Sequence, residues 1–455
     1  LAKKQIYNRG LKKGTLHLNG FIETMDEKNP QVNDGAVYYE DERIVEVGSS
    51  DELKRKYLQA ETINVEGKVI MPGLISSHSH LYGILAHGIP FKDGARSFIE
   101  ILEKFWWPYV EDKLNKDLIY KAALASSLEM IRSGTTCTVD ILEAPYAIPG
   151  ALEAEAKALK EVGMRAILSF EATERVSKEN GKWGIQENLD FIKSWNYKDE
   201  LIKGMFCTHT TFTCSKEFLE EVRRLASNYN TGIHIHLEEG AFETMHSIVK
   251  YRKLPVEFYE EIGFLGPDVL ASQCVHIKPK EIQIFKKYDV KVAHMPLSNL
   301  EVAGGIAPIP QMLDSGLTIG LGTDGYIVDM FEVMRSAFLI HKGYLQDALV
   351  MPASTVLKMA TIDGAKAVGM EKDIGSITPG KKADIIILDP RLPTPVTTSN
   401  FYDQLVVYCD GNFVDTVIIN GKTVMRNRKL VSIDEEEVKE GCKEAALELW
   451  KYCGS

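Results

Sequence analysis

His78-Ser79-His80 sets two imidazoles two residues apart. In a strand that period puts both on one side, and neutral imidazoles are good ligands for Zn or Fe(II). His234-Ile235-His236-Leu237-Glu238-Glu239 is a second such piece. His236 offers a third imidazole, and His234, one layer deeper on the same face, is expected to pack behind it. Glu239 falls just past the strand end, where a carboxylate can reach both an activated water and a substrate nitrogen. Gly322-Thr323-Asp324-Gly325 adds an acid flanked by glycines that let backbone and ligand come close; taken alone, Asp324 reads equally as a helix cap. Cys274-Val275-His276 closes another apolar run. By position, His276 is a ligand, a proton donor or a buried residue. Thr208-His209-Thr210 ends a further run, and His209 is assigned to substrate contact. Three imidazoles and one carboxylate leave a divalent ion an open position for water, whose pKa such a site lowers to about 7. Glu239 could then move a proton from nucleophile to leaving group, while His276 polarises the electrophile or positions the hydroxide.

These pieces are far apart along the chain, so only a fold can gather them. Beyond Pro72-Gly73 short apolar strands alternate with helix-length segments such as 152–161 and 216–229. Eight strand candidates span 73–80, 135–139, 165–171, 202–209, 231–237, 269–276, 291–295 and 318–323, each mainly apolar and polar at its end. Buried parallel strands look like this, and eight of them predict an α/β fold, a (β/α)8 TIM barrel whose strand C-termini face the active site. Before residue 67 and after residue 373 the texture is strand and turn. The expected organisation is therefore a small β-sandwich built from 1–66 and 374–455, the latter with a closing helix, around a barrel of 67–373.

The 455 residues, 45% hydrophobic and 26% charged, have the balance of a soluble globular protein. No apolar run reaches the roughly 20 residues needed to cross a bilayer, and no leader-like segment opens the sequence; a cytoplasmic enzyme without membrane partners is expected. The net charge of −11 argues against nucleic acid. Seven scattered cysteines with no CxxC pair exclude a disulfide framework.

In type and order the site pieces resemble the amidohydrolase superfamily, in its subclass with one metal. Ile374–Asp389, IGSITPGKKADIIILD, and His294-Met295-Pro296-Leu297-Ser298-Asn299 are similar to two further family stretches, with Met295 in place of the usual Asn. Within the family the chain looks like the deaminase and chlorohydrolase branch, nearest to SsnA-type aminohydrolases through 98–114 and Asp329-Met330-Phe331-Glu332. The resemblance implies one divalent metal, Zn before Fe(II), held by His78, His80, His236 and Asp324. It implies Glu239 as proton shuttle, His276 as a catalytic group and His209 in the substrate pocket, although Thr208-His209-Thr210 departs from the Pro-His-Ala common in the deaminases. The aromatic stretch between the first two strands, with Phe91 and Trp106, is expected to cover the pocket, Trp106 touching substrate. The expected function is hydrolytic release of ammonia from an aminated N-heterocycle such as a purine or pterin, by a homo-oligomer. A cyclic-amide hydrolase or chlorohydrolase on the same site is the alternative, and a non-catalytic scaffold the third.

Overall fold

The strands that carry the candidate residues lie side by side in one parallel sheet. In the computed structural model, which describes residues 14–91 and 94–453, that sheet runs through Leu74–Ser79, Thr135–Leu142, Arg165–Ala172, the paired pieces Ile202–Gly204 and Phe206–Thr208, Ile233–Leu237, Val269–Gln273, Lys291–His294 and Ile319–Leu321. The amides of Thr323 and Asp324 both donate to the His78 carbonyl, at 2.9 and 3.1 Å, so the last strand returns to the first and the (β/α)8 barrel closes. Buried apolar residues fill the strands because both sheet faces are covered.

The helices between strands form for local reasons. In Lys216–Tyr229 the Ser215 side chain caps the first turn, Asn230 ends the helix in the left-handed region, and Phe218, Leu219, Val222, Leu225 and Ala226 recur on the face that packs on the barrel. Asn115 caps Lys116–Arg132 in the same way, accepting from two backbone amides.

The chain's two β-rich ends meet in one nine-stranded mixed sheet. Ile385–Leu388 pairs antiparallel with Val69–Pro72, which lies parallel to Thr15–Glu23. Val69–Pro72, expected within the barrel part, thus belongs to the terminal sheet. Of the expected terminal β part, residues 1–13, 454 and 455 lie outside the described residues. The closing helix, Glu435–Trp450, packs on Lys116–Arg132, and the Trp450 indole donates to the Leu85 carbonyl at 2.7 Å, bracing the short turn Leu81–Ala86 that follows His80. No helix among the described residues is long and apolar enough to cross a membrane.

One buried ion pair ties the terminal sheet to the barrel floor. Arg165, at the start of the third barrel strand, meets Asp384 with both ends of its fork, at 2.6 and 3.0 Å, and the Asn420 amide donates to the same carboxylate at 2.7 Å. The two side chains are 1% and 2% exposed, so removing one partner strands a buried charge. Asp384→Ala should therefore destabilise the fold by about 3–5 kcal/mol, read as a fall in the denaturant midpoint. An unchanged midpoint would show that the pair is dispensable to the joint.

Candidate active site

His78, His80 and His236 come together at the C-terminal end of the barrel, with ring centroids 4.9–5.3 Å apart. Each imidazole is turned by a bond at its far nitrogen. His80 Nδ1 donates to the Ile141 carbonyl at 2.8 Å, and His236 Nδ1 donates to Glu171 Oε1 at 2.5 Å. His78 Nδ1 lies 3.1 Å from His234 Nε2, which puts His234 behind His78. These contacts leave the three Nε2 lone pairs pointing inward: His80 and His236 face each other at 3.3 Å, and His78 Nε2 is buried without a hydrogen-bond partner. Burial drives the His78 pKa well below its ordinary value, with the neighbouring imidazoles adding to the effect. Burial likewise lowers His236 to about 4 against the opposing pull of Asp324 and Glu243. Neutral, inward lone pairs are what a cation needs and what hydrogen bonding alone cannot satisfy.

Asp324 supplies the charge. Its two carboxylate oxygens stand 3.7 Å from His78 Nε2 and His80 Nε2. The residue follows the strand that closes the barrel, and its φ of 58° turns the carboxylate toward the histidines. Burial would raise its pKa, but His80, the Gly325 amide, His236 and the Gln273 side chain together hold it below the usual value. Gly325 is also packed tightly: a Cβ on Gly83, in the turn after His80, would come within 2.6 Å of the Gly325 carbonyl. The loops that follow the first and last strands therefore touch backbone to backbone. The three imidazoles and this carboxylate fit a divalent ion.

Glu239 lies beside the cluster and Glu238 does not. The φ of 50° at Glu238 separates the two side chains; Glu238 accepts from the Thr244 hydroxyl at 2.7 Å, away from the cavity that Glu239 lines. Burial, reinforced by the charges of Asp324, Glu171 and Glu243, pushes the Glu239 carboxyl well above the usual carboxylate range. A carboxyl that holds its proton this tightly suits proton transfer.

The cavity above these groups measures about 420 Å³. Phe98, Phe105, Trp106 and Trp107 wall it from a helical segment that widens to π-type geometry over Leu102–Val110, with Pro108 inside. Such widened turns occur often at functional sites. Phe91 lines the cavity and packs against Phe105 with the rings tilted, 4.7 Å between centroids. His209 also lines it, with Nδ1 bonded to the Thr213 hydroxyl at 2.7 Å and its ring 5.6 Å from that of His236.

His276 is the one expected site residue that the structure brings neither to the histidine cluster nor to this cavity. The sixth strand ends at Gln273 instead of continuing to His276, because Gln273 and Cys274 both turn left-handed, with φ of 70° and 52°. His276 Nε2 instead bonds the Gly304 carbonyl at 3.0 Å, and its ring lines a separate cavity with His341 and Tyr344. Gln273 takes the strand-end position and donates to Asp324 Oδ2 at 2.7 Å. The sequence reading also missed Glu171, which ends the third strand and bonds His236, although an apolar strand ending in an acid is the pattern used elsewhere. It missed the buried cluster in which Arg175 meets Glu143, Asp112 and Glu111 at 2.5, 2.9 and 3.3 Å. Glu111, which also accepts from the Tyr82 hydroxyl at 2.8 Å, lines the cavity. Nothing in local spacing links those four residues.

Residues 69–424 match the Amidohydrolase family model. The chain is 37% identical over 437 residues to a 5'-deoxyadenosine deaminase of Methanosarcina acetivorans, covering 95% of this chain and 97% of that one. It is 37% identical over 420 residues to a 5-methylthioadenosine/S-adenosylhomocysteine deaminase of Thermoanaerobacter pseudethanolicus, covering 91% and 94%. Among solved structures, an adenosine deaminase of Xanthomonas campestris with bound zinc superposes with a TM-score of 0.88 at 24% identity, covering 96% of this chain and 98% of the other. An atrazine chlorohydrolase of Arthrobacter aurescens, complexed with zinc, gives 0.85 at 23%, covering 95% and 100%. The match across most of the chain, to deaminase relatives that span nearly its whole length, means that this protein belongs to the amidohydrolase family.

Proposed function

We propose that the chain is a metal-dependent hydrolytic deaminase of an aminated purine, with an adenine nucleoside as the first candidate. The observation that carries the reading is Glu239, a buried carboxyl beside three inward imidazoles and Asp324, on the floor of an aromatic-walled cavity. The deaminase relatives, similar over more than nine-tenths of the chain, support the same choice.

In this reading His78, His80, His236 and Asp324 hold one divalent ion, zinc by preference. When bound, such an ion supplies Lewis acidity that makes water nucleophilic near neutral pH. The side chains do the rest. The aromatic wall orients the flat ring by stacking, with Trp106 and Trp107 at its centre, and His209 contacts the substrate at the side. Glu239 gives a proton to the ring nitrogen next to the carbon under attack, which makes that carbon more electrophilic. It then takes a proton from the attacking water and passes it to the departing amine. The C–O bond forms, the C–N bond breaks, and ammonia leaves with the proton Glu239 has carried; the hydrogen left on the product oxygen returns to Glu239 as the ring C=O forms, which restores its acid form. Glu171 holds His236 through Nδ1 and keeps its Nε2 free throughout.

Three measurements test this. The purified chain should hold about one divalent ion by elemental analysis, and His78→Ala or Asp324→Ala should lower that content along with activity; undiminished metal in both variants would remove these residues from the ligand set. Glu239→Gln should keep the metal and lose turnover by about 10²–10⁴-fold, and full activity in that variant would remove Glu239 from proton transfer. A coupled ammonia assay across purines, nucleosides, pterins and triazines, with hydantoins followed by ring opening, should give ammonia from an aminated purine. Turnover confined to hydantoins or to halide release would overturn the deaminase reading.

A further inference from the structure

Gln273 is buried, lines the cavity, and has committed only half of its amide. Its Nε2 donates to Asp324 Oδ2 at 2.7 Å, while Oε1 is buried with no hydrogen-bond partner. A carboxylate only accepts, so the edge that faces Asp324 is the NH2 group, and the remaining oxygen can only accept in turn. The backbone is built to keep it there. Gln273 and Cys274 are consecutive non-glycine residues in the left-handed region, a conformation that persists only where the surroundings enforce it. Two backbone hydrogen bonds enforce it: the Cys274 amide donates to the Leu237 carbonyl at 2.8 Å and to the Ser272 carbonyl at 3.0 Å, and Cys274 itself is buried. A continued strand would have carried the side chain at 273 away from this turn and brought His276 nearer the strand end.

A buried acceptor without a protein donor is unfavourable unless something that enters the site satisfies it. The groups that enter are water and substrate, and Oε1 belongs to an amide already bonded to the acid of the cluster. We infer that Gln273 positions the attacking water, accepting one of its hydrogens at Oε1 while its NH2 group fixes the Asp324 carboxylate. The inference rests on the hydrolytic reading above. An amide at this place aims the water without exchanging a proton, so proton transfer falls to Glu239 alone. In the reaction, the water keeps the hydrogen directed at Gln273 and gives its other proton to Glu239 as the C–O bond forms.

The test uses the full, metal-loaded chain and two substitutions, with ammonia release from the best aminated heterocycle as the assay. Gln273→Met fills the same space without an acceptor. Its kcat should fall by about 10²-fold, as expected for loss of alignment at a reacting atom, with KM within about threefold of the wild type and metal content unchanged. Gln273→Glu in its acid form offers an O–H to Asp324 and a carbonyl oxygen in the place of Oε1. Its activity relative to the wild type should therefore rise as pH is lowered, and Gln273→Met should show no such recovery. Near-normal kcat in Gln273→Met, or no acid-side recovery in Gln273→Glu, overturns the inference. Loss of metal in step with activity also overturns it and leaves Gln273 as a support for Asp324 only. Absence of ammonia from the wild type on every heterocycle is a different failure, since it removes the deaminase reading itself.

Discussion

Three unprotonated ring nitrogens aimed at one point are an unfavourable arrangement unless something holds each ring, and much of the barrel top exists to hold them. Each Nε2 is kept bare by a bond at Nδ1, and the partners come from three different places: the Ile141 carbonyl of the second strand, Glu171 of the third and His234 of the fifth. Burial keeps the His78 and His236 rings neutral. A fourth element, the closure of the barrel, delivers the balancing charge. The same amides that pair the last strand with His78 belong to Thr323 and Asp324, so the sheet cannot close without presenting the carboxylate to the histidines. The contacts that close the barrel thus also place one member of the site.

The amino-acid sequence exposes this site well where chemistry is local and poorly where it is not. HxH, HxxE and GTDG each put their reactive groups within four residues, and strand periodicity is enough to say which side chains share a face. Periodicity alone would put Glu238, not Glu239, on the face of His234 and His236; the left-handed turn at Glu238 reverses that and leaves Glu239 toward the cavity. The eight strands are readable as apolar runs, and the structure keeps all of them, with ends shifted by a few residues. The sixth is where that shift matters. A run ending in Cys274-Val275-His276 looks like the others, but the left-handed pair at Gln273 and Cys274 stops it early. Nothing in the residue types announces that turn, because neither residue is glycine. The cluster of Arg175 with Glu111, Asp112 and Glu143 was illegible for a different reason. Its members come from three separate segments, and an arginine among acids looks, residue by residue, like ordinary surface charge.

Backbone conformation is unusual where the chemistry concentrates. Glu238, Gln273, Cys274 and Asp324 all adopt positive φ without being glycine, and all follow or end barrel strands at the mouth of the site. Each turn redirects a side chain that a regular strand would have aimed elsewhere: Glu238 away from Glu239, Gln273 beside Asp324, and Asp324 toward the imidazoles. The barrel supplies stiffness, and these few residues spend some of it on direction.

The indole of Trp450 bonds the carbonyl of Leu85, 365 residues earlier, and so braces the turn that follows His80. That long separation sets an order in time. As the chain leaves the ribosome, all eight barrel strands emerge before the helix that supports this turn, and before Ile385–Leu388 can pair with Val69–Pro72. At about 5–20 residues per second, the turn waits roughly 20–70 s for its brace. Until Ile385–Leu388 emerges, the nascent chain carries histidines at one end of its first barrel strand and, at the other, a sheet edge still lacking its neighbour. Bracing of this turn is thus tied to the emergence of Glu435–Trp450, and a ribosome that stalls between Asp324 and that helix leaves a chain with every candidate ligand made and the turn beside them unsupported.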